Sequence, residues 1–286
     1  MNLCDLGTIQ ALLGRHGFHF SKSMGQNFLI DPQIPADIAA SSQANKTCGV
    51  LEIGPGIGPL TAELAQLAGK VVSVELDKSL LPVLAETMAP YENVEIVPGD
   101  AMKLDLQALV EEKFGGLTPI VCANLPYNIT TPVLTKLIET PCFETITVLI
   151  QKEVAQRLSV PQGSADGGAF TLFLQYYMEA EYLFEVPREK FIPAPKVTSA
   201  VLRLTPCPPP EVVDNPDHFF KVVKAAFAQR RKTLLNGLSA AFGSKLSKEQ
   251  LLQILLDCGL AADVRGERLG IPEFAKLSKA LRAAGC

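Results

Sequence analysis

Short apolar runs alternate with segments of helical periodicity along the first two thirds of the chain. Residues 49–53 form an apolar run that ends in a glycine-rich turn, and residues 59–67 then carry leucines at helical spacing. This succession recurs, which favours an α/β fold with a mostly parallel sheet and helices on its faces. The predicted parallel strands are 49–53, 71–75, 93–97, 119–122 and 145–150, and two later strands, 180–186 and 198–204, are expected to form an antiparallel hairpin.

A proline-rich segment at 206–210 separates this pattern from a purely helical one. Consecutive prolines make a stiff linker, so we predict a domain boundary there. The expected domains are a large α/β domain, 1–205, and a small all-α domain, 206–286. The helices predicted for the second domain are 217–228, 230–242, 248–257 and 272–284.

Composition excludes several classes of protein. The 286 residues contain no apolar run of about 18 residues and no apparent signal peptide, so we expect a cytoplasmic protein with no membrane association. None of the seven cysteines forms a Cys-x-x-Cys pair, and only three histidines are present. We therefore expect reduced thiols and no metal site.

Charge is divided unevenly between the two predicted domains. The net charge is −4, yet residues 206–286 carry 12 basic and 8 acidic residues. A basic domain on an acidic body points weakly to a polyanionic partner, although a solvated basic helix face would give the same count.

The glycine-rich turn after the first strand predicts a nucleotide-type cofactor. Gly54 and Gly56 belong to a G-x-G-x-G pattern, and Glu75 ends the second strand 21 positions after Gly54. That is close to the spacing of about 20 expected for a carboxylate that binds a ribose. Because the glycine spacing is not G-x-G-x-x-G, and because a second half of a dinucleotide fold is missing, we favour an adenosyl cofactor without a pyrophosphate.

Two further strand ends carry candidate site residues. Asp100, followed by Ala101, could bind an adenine amino group or could cap the helix predicted around 104–113. Asn124, Leu125, Pro126 and Tyr127 follow the fourth strand. They offer an amide, main-chain carbonyls stiffened by a proline, and an aromatic face, which suit a nucleobase; the alternative is a structural proline turn.

A third candidate segment lies between the two late strands. Phe191 opens a stretch, 191–197, that two prolines keep from forming a helix. Its ring could be a second stacking surface or a core residue. The segment also carries Lys196, and residues Arg230, Arg231 and Lys232 place three cations together at a predicted helix junction.

Taken together, these motifs resemble the ribosomal RNA adenine dimethyltransferases, and most closely the bacterial small-subunit (16S) enzymes. The resemblance covers nearly the whole chain. It is carried by six ordered blocks, 25–29, 51–58, 124–128, 191–197, 229–234 and 265–269.

The resemblance implies a Rossmann-like class I methyltransferase sheet of seven strands, the last antiparallel, with residues 1–45 forming a cap over bound S-adenosylmethionine. It implies a monomer that acts on 16S rRNA within the small ribosomal subunit or its precursor. By motif position the residues expected to contact the cofactor are Asn27, Leu29, Gly54, Gly56, Glu75, Asp100, Ala101 and Asn124. Arg230, Arg231, Lys232 and Lys196 are expected to contact RNA.

The expected reaction is transfer of methyl groups to N6 of two adjacent adenosines in a hairpin loop. Asn124 and the Leu125 carbonyl would accept the N6 hydrogens, Pro126 would fix the carbonyls, and Tyr127 and Phe191 would stack on the base. Alternatives are a large-subunit (23S) rRNA methyltransferase that confers macrolide resistance, and a ribosome assembly factor without catalysis. The glycine spacing argues against a nicotinamide oxidoreductase, and Leu125 departs from the Asp/Asn-Pro-Pro-Tyr site of N6-adenine DNA methyltransferases.

Overall fold

A computed structural model of the chain describes residues 1–19, 25–161, 164–229 and 231–286. It contains two compact units. The sheet unit comprises Met1–Ala155 and Ala180–Pro206, and the helical unit comprises Gln156–Glu179 and Cys207–Cys286.

Helices and strands alternate along the first 206 residues. The strands are β1 (Phe28–Leu29), β2 (Cys48–Ile53), β3 (Lys70–Glu75), β4 (Val94–Pro98), β5 (Thr118–Asn124), β6 (Ile146–Gln151), β7 (Met178–Val186), β8 (Phe191–Ile192) and β9 (Ser199–Pro206). The helices up to this point are α1 (Leu6–Arg15), α2 (Gln33–Ser41), α3 (Pro59–Leu67), α4 (Leu81–Thr87), α5 (Leu106–Phe114), α6 (Thr130–Glu139), α7 (Lys152–Leu158) and α8 (Ala169–Tyr177).

Seven of these strands form one sheet in the order β4-β3-β2-β5-β6-β9-β7. Neighbours from β4 to β6 run parallel, and β9 pairs with β6 in the antiparallel sense. The predicted seven-stranded mixed sheet is therefore confirmed. Because the chain winds outward from β2 in one direction and then resumes at β5 on its other side, a crevice opens at the carboxyl ends of these two strands.

The central strands form because both of their faces are covered. Every residue of β2 is buried, and its core neighbours include Val71 of β3 and Ile120 of β5. Such strands are almost continuously apolar, which is why the sequence reveals them. Glu52 is the polar exception in β2 and is 1 % exposed.

Helices build the second unit around a separate core. After β9 they are α9 (Pro216–Phe227), α10 (Leu234–Phe242), α11 (Lys248–Asp257) and α12 (Ile271–Ala283). Phe219, Phe242 and Phe274 are among its fully buried side chains.

Two boundaries differ from those expected. Residues Gln156–Glu179 cluster with the helical unit although they precede the proline-rich linker, because Leu172 and Tyr176 of α8 pack in the same core as Phe219. In addition, α10 begins at Leu234 and not at residue 230.

Candidate active site

The glycine turn links β2 to α3 and lines a cleft at the carboxyl ends of the strands. Gly54, Gly56 and Gly58 all have positive φ, at 72°, 62° and 93°. A Cβ on Gly56 would lie 3.1 Å from the ring of Phe28, and one on Gly58 would lie 2.4 Å from Cε of Met88. The turn therefore depends on glycine for both its conformation and its close packing.

Glu75 ends β3 beside this turn and is 6 % exposed. Its carboxylate accepts main-chain hydrogen bonds from Asp77, at 2.7 Å, and from Gly56, at 3.4 Å. Burial raises the pKa of the carboxyl above its ordinary value. Glu75 is thus a buried hydrogen-bond acceptor held in a fixed position, which suits the hydroxyl groups of a ribose.

Asp100 follows β4 and contributes to the same cleft. One of its oxygens accepts the Met102 amide at 2.9 Å. The alternative role of capping the next helix falls to Asp105, whose side chain accepts the Ala108 amide at 3.0 Å at the start of α5. Asp100 therefore has no capping role in α5, and its adenine-binding role stays a prediction.

Apolar side chains flank these two acids, and the sequence analysis did not single them out. Leu76 and Met102 line the cleft while remaining 48 % and 37 % exposed, and Ala101 beside them is buried. Their positions in the sequence, directly after Glu75 and Ala101, could have identified them as lining residues. Exposed apolar groups on a cleft wall suit the faces of a flat ring.

The segment from Asn124 to Tyr127 leaves β5 at the same edge of the sheet. The Leu125 amide donates to the Leu149 carbonyl at 3.1 Å, and the buried Leu125 side chain anchors the segment. The Asn124 amide nitrogen donates to the Asn27 carbonyl across a long 3.5 Å. That arrangement leaves the Asn124 side-chain oxygen as an acceptor.

Tyr127 is held by a residue that the sequence analysis missed. Its hydroxyl hydrogen-bonds the hydroxyl of Ser199, which is fully buried at the start of β9. The ring lines the cleft and is partly exposed. Ser199 thus fixes the orientation of the only tyrosine among the described lining residues.

Strand β1 brings the block around Asn27 into the cleft wall, and Asn27, Phe28 and Leu29 all line it. Phe191 does not join them. It pairs with Leu29 in the antiparallel β1–β8 ladder, is 3 % exposed and packs in the apolar core of the sheet unit. The structure therefore does not bring Phe191 and Tyr127 together as two faces of one base site, and it fits the core alternative for Phe191.

Those residues predicted to contact RNA that the structure describes all lie on the surface. Lys196 is exposed in the sheet unit, and Arg231 and Lys232 are exposed in the helical unit. The Lys232 amide bonds the Gln229 carbonyl at 2.8 Å in a turn that precedes α10. Arg230 lies outside the described residues.

S-adenosylmethionine is the group that such a cleft would be expected to hold, and the residues fit it. The glycine turn brings bare backbone to the cleft, Glu75 offers a buried acceptor, and Leu76 and Met102 flank Asp100. The cleft encloses about 1180 Å³ of space free of protein atoms, open mouth included. The predicted cofactor residues Asn27, Leu29, Gly54, Gly56, Glu75, Asp100, Ala101 and Asn124 all line it.

Neither a metal site nor a membrane-spanning helix is found in the described part of the chain. No group of three or more histidine, cysteine, aspartate or glutamate side chains there could hold a metal ion. No helix in the same ranges is long and apolar enough to cross a membrane.

The sheet order and this cleft define a class I methyltransferase that uses S-adenosylmethionine. A model of the family described as "Ribosomal RNA adenine dimethylase" matches residues 17–280. The chain therefore belongs to the ribosomal RNA adenine dimethylase family.

Individual relatives agree with that membership. The chain is 48% identical to the ribosomal RNA small subunit methyltransferase A of Geobacillus kaustophilus, over 96% of this chain and 95% of that protein. It is 46% identical to the protein of that name from Streptococcus thermophilus, over the full length of both.

Solved structures show the same likeness. A dimethyladenosine transferase from Plasmodium falciparum is 25% identical, with a TM-score of 0.73 over 90% of this chain and 98% of that one. The 23S rRNA methyltransferase ErmE is 26% identical, with a TM-score of 0.64 over 89% and 99%.

Proposed function

We propose that this protein transfers methyl groups from S-adenosylmethionine to N6 of two adjacent adenosines in a hairpin loop near the 3′ end of 16S rRNA, giving N6,N6-dimethyladenosines. One observation carries the proposal. The segment Asn124–Tyr127 opens into the same cleft as the glycine turn, Glu75 and Asp100. A base-binding segment and a cofactor-binding turn thus share one crevice.

Similarity supports the small-subunit substrate over the large-subunit alternative. Full-length relatives at 46% and 48% identity are named small subunit methyltransferases, whereas the 23S enzyme is 26% identical. The partner would be the small ribosomal subunit or its precursor, which would place the enzyme in the cytoplasm, with a role in subunit biogenesis.

The Asn124 side chain and the Leu125 carbonyl would act on the target nitrogen. The exocyclic N6 of adenine is a weak nucleophile because its lone pair is conjugated with the ring. The Asn27 contact leaves the Asn124 oxygen free to accept. It can therefore accept a hydrogen bond from one N6 hydrogen while the Leu125 carbonyl accepts one from the other. Accepting both hydrogens in the first transfer, and the one that remains in the second, favours a pyramidal nitrogen whose lone pair is available.

Positioning supplies most of what remains. S-adenosylmethionine, when bound, supplies a methyl group already activated on a sulfonium. The protein's residues therefore need to align the nitrogen and exclude water, and no strong base is required. In agreement with a reaction that needs no strong base, the described residues that line the cleft include no histidine.

Tyr127 would hold the base after it leaves its stack. Base–aromatic stacking is worth roughly 1–3 kcal/mol per base. Adenosines in a hairpin loop are cheaper to extract than paired ones, which favours a loop substrate. With Phe191 buried in this conformation, Tyr127 is the aromatic face on which the proposal depends.

Substitution of Asn124 tests the proposal. Asn124→Ala should abolish methyl transfer to small-subunit rRNA while leaving RNA affinity nearly unchanged, because the amide acts on the reacting nitrogen. Gln107→Ala is a matched control, since it removes an exposed amide from α5. Transfer of labelled methyl groups and RNA binding are measured on the same preparations. Full activity in Asn124→Ala would refute the assigned role, and a wild-type protein that binds particles without transferring methyl groups would favour the assembly-factor alternative.

A further inference from the structure

Three cations converge on one side chain of the helical unit. His218 of α9 is hydrogen-bonded through Nδ1 to Ser278 of α12, at 2.8 Å. Arg282 lies one helical turn beyond Ser278 on the same face of α12. Burial and then the positive charges of Arg282, Lys221 and Lys245 hold the pKa of His218 below its ordinary value.

Ring contacts place Lys221 near His218, and a hydrogen bond places Lys245 near the end of α12. Lys221 Nζ lies 5.3 Å from the ring centroid of Phe242, and the His218 ring lies 5.9 Å from that ring. Lys245 Nζ donates to the Gly285 carbonyl, 3.2 Å away, just past the end of α12. We call Lys221, Lys245 and Arg282 the α9–α12 cluster.

None of the three charges is neutralised inside the described protein. No ion pair within 4 Å involves Lys221, Lys245 or Arg282 in ranges 1–19, 25–161, 164–229 and 231–286. The partners that hold the two lysines, an aromatic ring and a carbonyl, carry no net charge. The lysines are thus positioned while their full charge remains available to an external anion.

Nearby acids among the described residues form no ion pair with the cluster. A hollow lined by Arg282 also contains Glu211 and Asp214, but neither forms an ion pair with a described cation. Both are exposed. Three like charges held close together raise the free energy of the isolated protein, and a bound anion would lower it.

From this geometry we propose that the α9–α12 cluster binds backbone phosphates of the ribosomal RNA substrate. The inference rests on the proposed function, and it adds a second RNA contact to the one expected at Arg231 and Lys232. Phosphate is favoured over the carboxylates of an acidic protein because the substrate of this family is itself a polyanion that presents phosphates at regular intervals.

The cluster and the 231–232 pair are separate sites on one unit. Lys221 lies in the first half of α9, and Arg231 follows the end of that helix. At about 1.5 Å per residue, the helix from Lys221 to its end at Phe227 spans roughly 9 Å, and Arg231 lies beyond that end. Sites that far apart should contribute independently to RNA affinity.

Two triple variants and a control test the cluster. The first variant removes the charges (Lys221→Gln, Lys245→Gln, Arg282→Gln), and the second keeps them (Lys221→Arg, Lys245→Arg, Arg282→Lys). The control removes three ion-paired cations from the sheet unit (Arg15→Gln, Lys152→Gln, Arg188→Gln), so that net charge changes equally. Affinity for naked 16S rRNA and for small-subunit particles is measured across salt concentrations, together with thermal unfolding.

The charge-removing variant should bind naked rRNA about tenfold more weakly and should reduce the slope of log affinity against log salt by about 2, at 0.7–0.9 per lost phosphate contact. The charge-keeping variant and the control should retain both the affinity and the slope. An unchanged slope in the charge-removing variant would overturn the inference. So would weaker binding to particles with unchanged binding to naked rRNA, which would assign the cluster to a ribosomal protein.

Cofactor binding and catalysis separate this inference from the proposed function. S-adenosylhomocysteine affinity and single-turnover methyl transfer at saturating rRNA should be unchanged in the charge-removing variant. A wild-type protein that transfers no methyl group to rRNA would defeat the proposed function itself, whatever the salt dependence shows.

Discussion

The two units of this protein use charge in opposite ways. In the sheet unit most cations are matched by acids, as in the pairs Lys190–Asp31, at 2.6 Å, and Lys113–Glu95, at 2.6 Å. In the helical unit the ion pair that is found among described residues is Arg265–Glu267, at 4.0 Å. The sheet unit thus pairs most of its cations and keeps acids for its cleft, while the helical unit leaves most of its described cations without an ion pair.

Buried acids show the same division. Glu52 and Glu75 are 1 % and 6 % exposed in the sheet unit. In the helical unit, every described aspartate and glutamate is at least partly exposed. Such a division suits a protein that binds both a small cofactor and a large polyanion, because acids near a phosphate-binding surface would weaken phosphate binding.

The largest effect that would sharpen the comparison is expected at Glu75. Glu75→Ala should weaken S-adenosylhomocysteine binding about 100-fold or more, because hydrogen bonds to a charged acceptor contribute about 1.5–3 kcal/mol each and a ribose offers two hydroxyls. Affinity for rRNA should not change. Calorimetric titration and RNA binding measure the two quantities separately.

Glu139→Ala is the matched control for Glu75→Ala, since Glu139 is an exposed glutamate at the end of α6. If Glu75→Ala also weakened RNA binding by a similar factor, the two units would not divide their ligands as described.

The next effect concerns the buried acid Glu52. Its Oε2 accepts hydrogen bonds from Thr61, at 2.6 Å, and from Ser73, at 2.7 Å. Burial nevertheless raises the pKa of Glu52 to about 7 from an ordinary 4.5. The folded state therefore holds this proton more tightly than the unfolded state. The stabilisation is fully present below pH 4.5 and is lost as pH rises through about 7.

Glu52→Gln should remove that pH dependence. Relative to wild type, the variant should gain roughly 2–3 kcal/mol of unfolding free energy between pH 5 and pH 8, at about 1.36 kcal/mol per pKa unit. Urea unfolding at both pH values measures the difference, with exposed Glu139→Gln as control. An equal difference at pH 5 and pH 8 would contradict a proton held by Glu52 in the folded state.

The sequence predicts the parts of this fold that depend on local order. The strands from β2 to β6 are apolar because they are buried, and each parallel strand must end at the same edge of the sheet. Gly54, Glu75, Asp100 and Asn124 therefore had to lie near one another once their strands were recognised. The cleft follows from this arrangement without any knowledge of side-chain contacts.

Contacts between distant segments could not be predicted in that way. Ser199 is an ordinary strand residue in the sequence, and only the pairing of β9 with β6 brings it to Tyr127. Phe191 was open to two interpretations because an aromatic beside prolines suits a surface or a core equally well. Its pairing with Leu29 decides the question in this conformation.

The packing of α8 is a similar case. Its apolar residues predict a buried face, yet nothing in their spacing identifies Phe219 as their neighbour. A linker at 206–210 marks where the chain leaves one unit, but it gives no sign that an earlier segment had already joined the other.

The smallest expected effect tests the ion pairs themselves. Glu95 accepts from both Lys70, at 3.0 Å, and Lys113, at 2.6 Å, and these two lysines hold the pKa of the Glu95 carboxyl below its ordinary value. Glu95→Gln should therefore lower the unfolding free energy at low salt, by less than about 1 kcal/mol because the group is partly exposed. The difference should shrink in about 1 M salt, where the Debye length falls to about 3 Å.

Lys279→Gln provides the counterpart in the helical unit, since Lys279 is exposed and has no ion pair within the described ranges. Its unfolding free energy should match that of wild type at both salt concentrations. If Lys279→Gln were as destabilising and as salt-sensitive as Glu95→Gln, the cations of the helical unit would be neutralised within the protein after all. They would then have no more charge to offer a phosphate than those of the sheet unit.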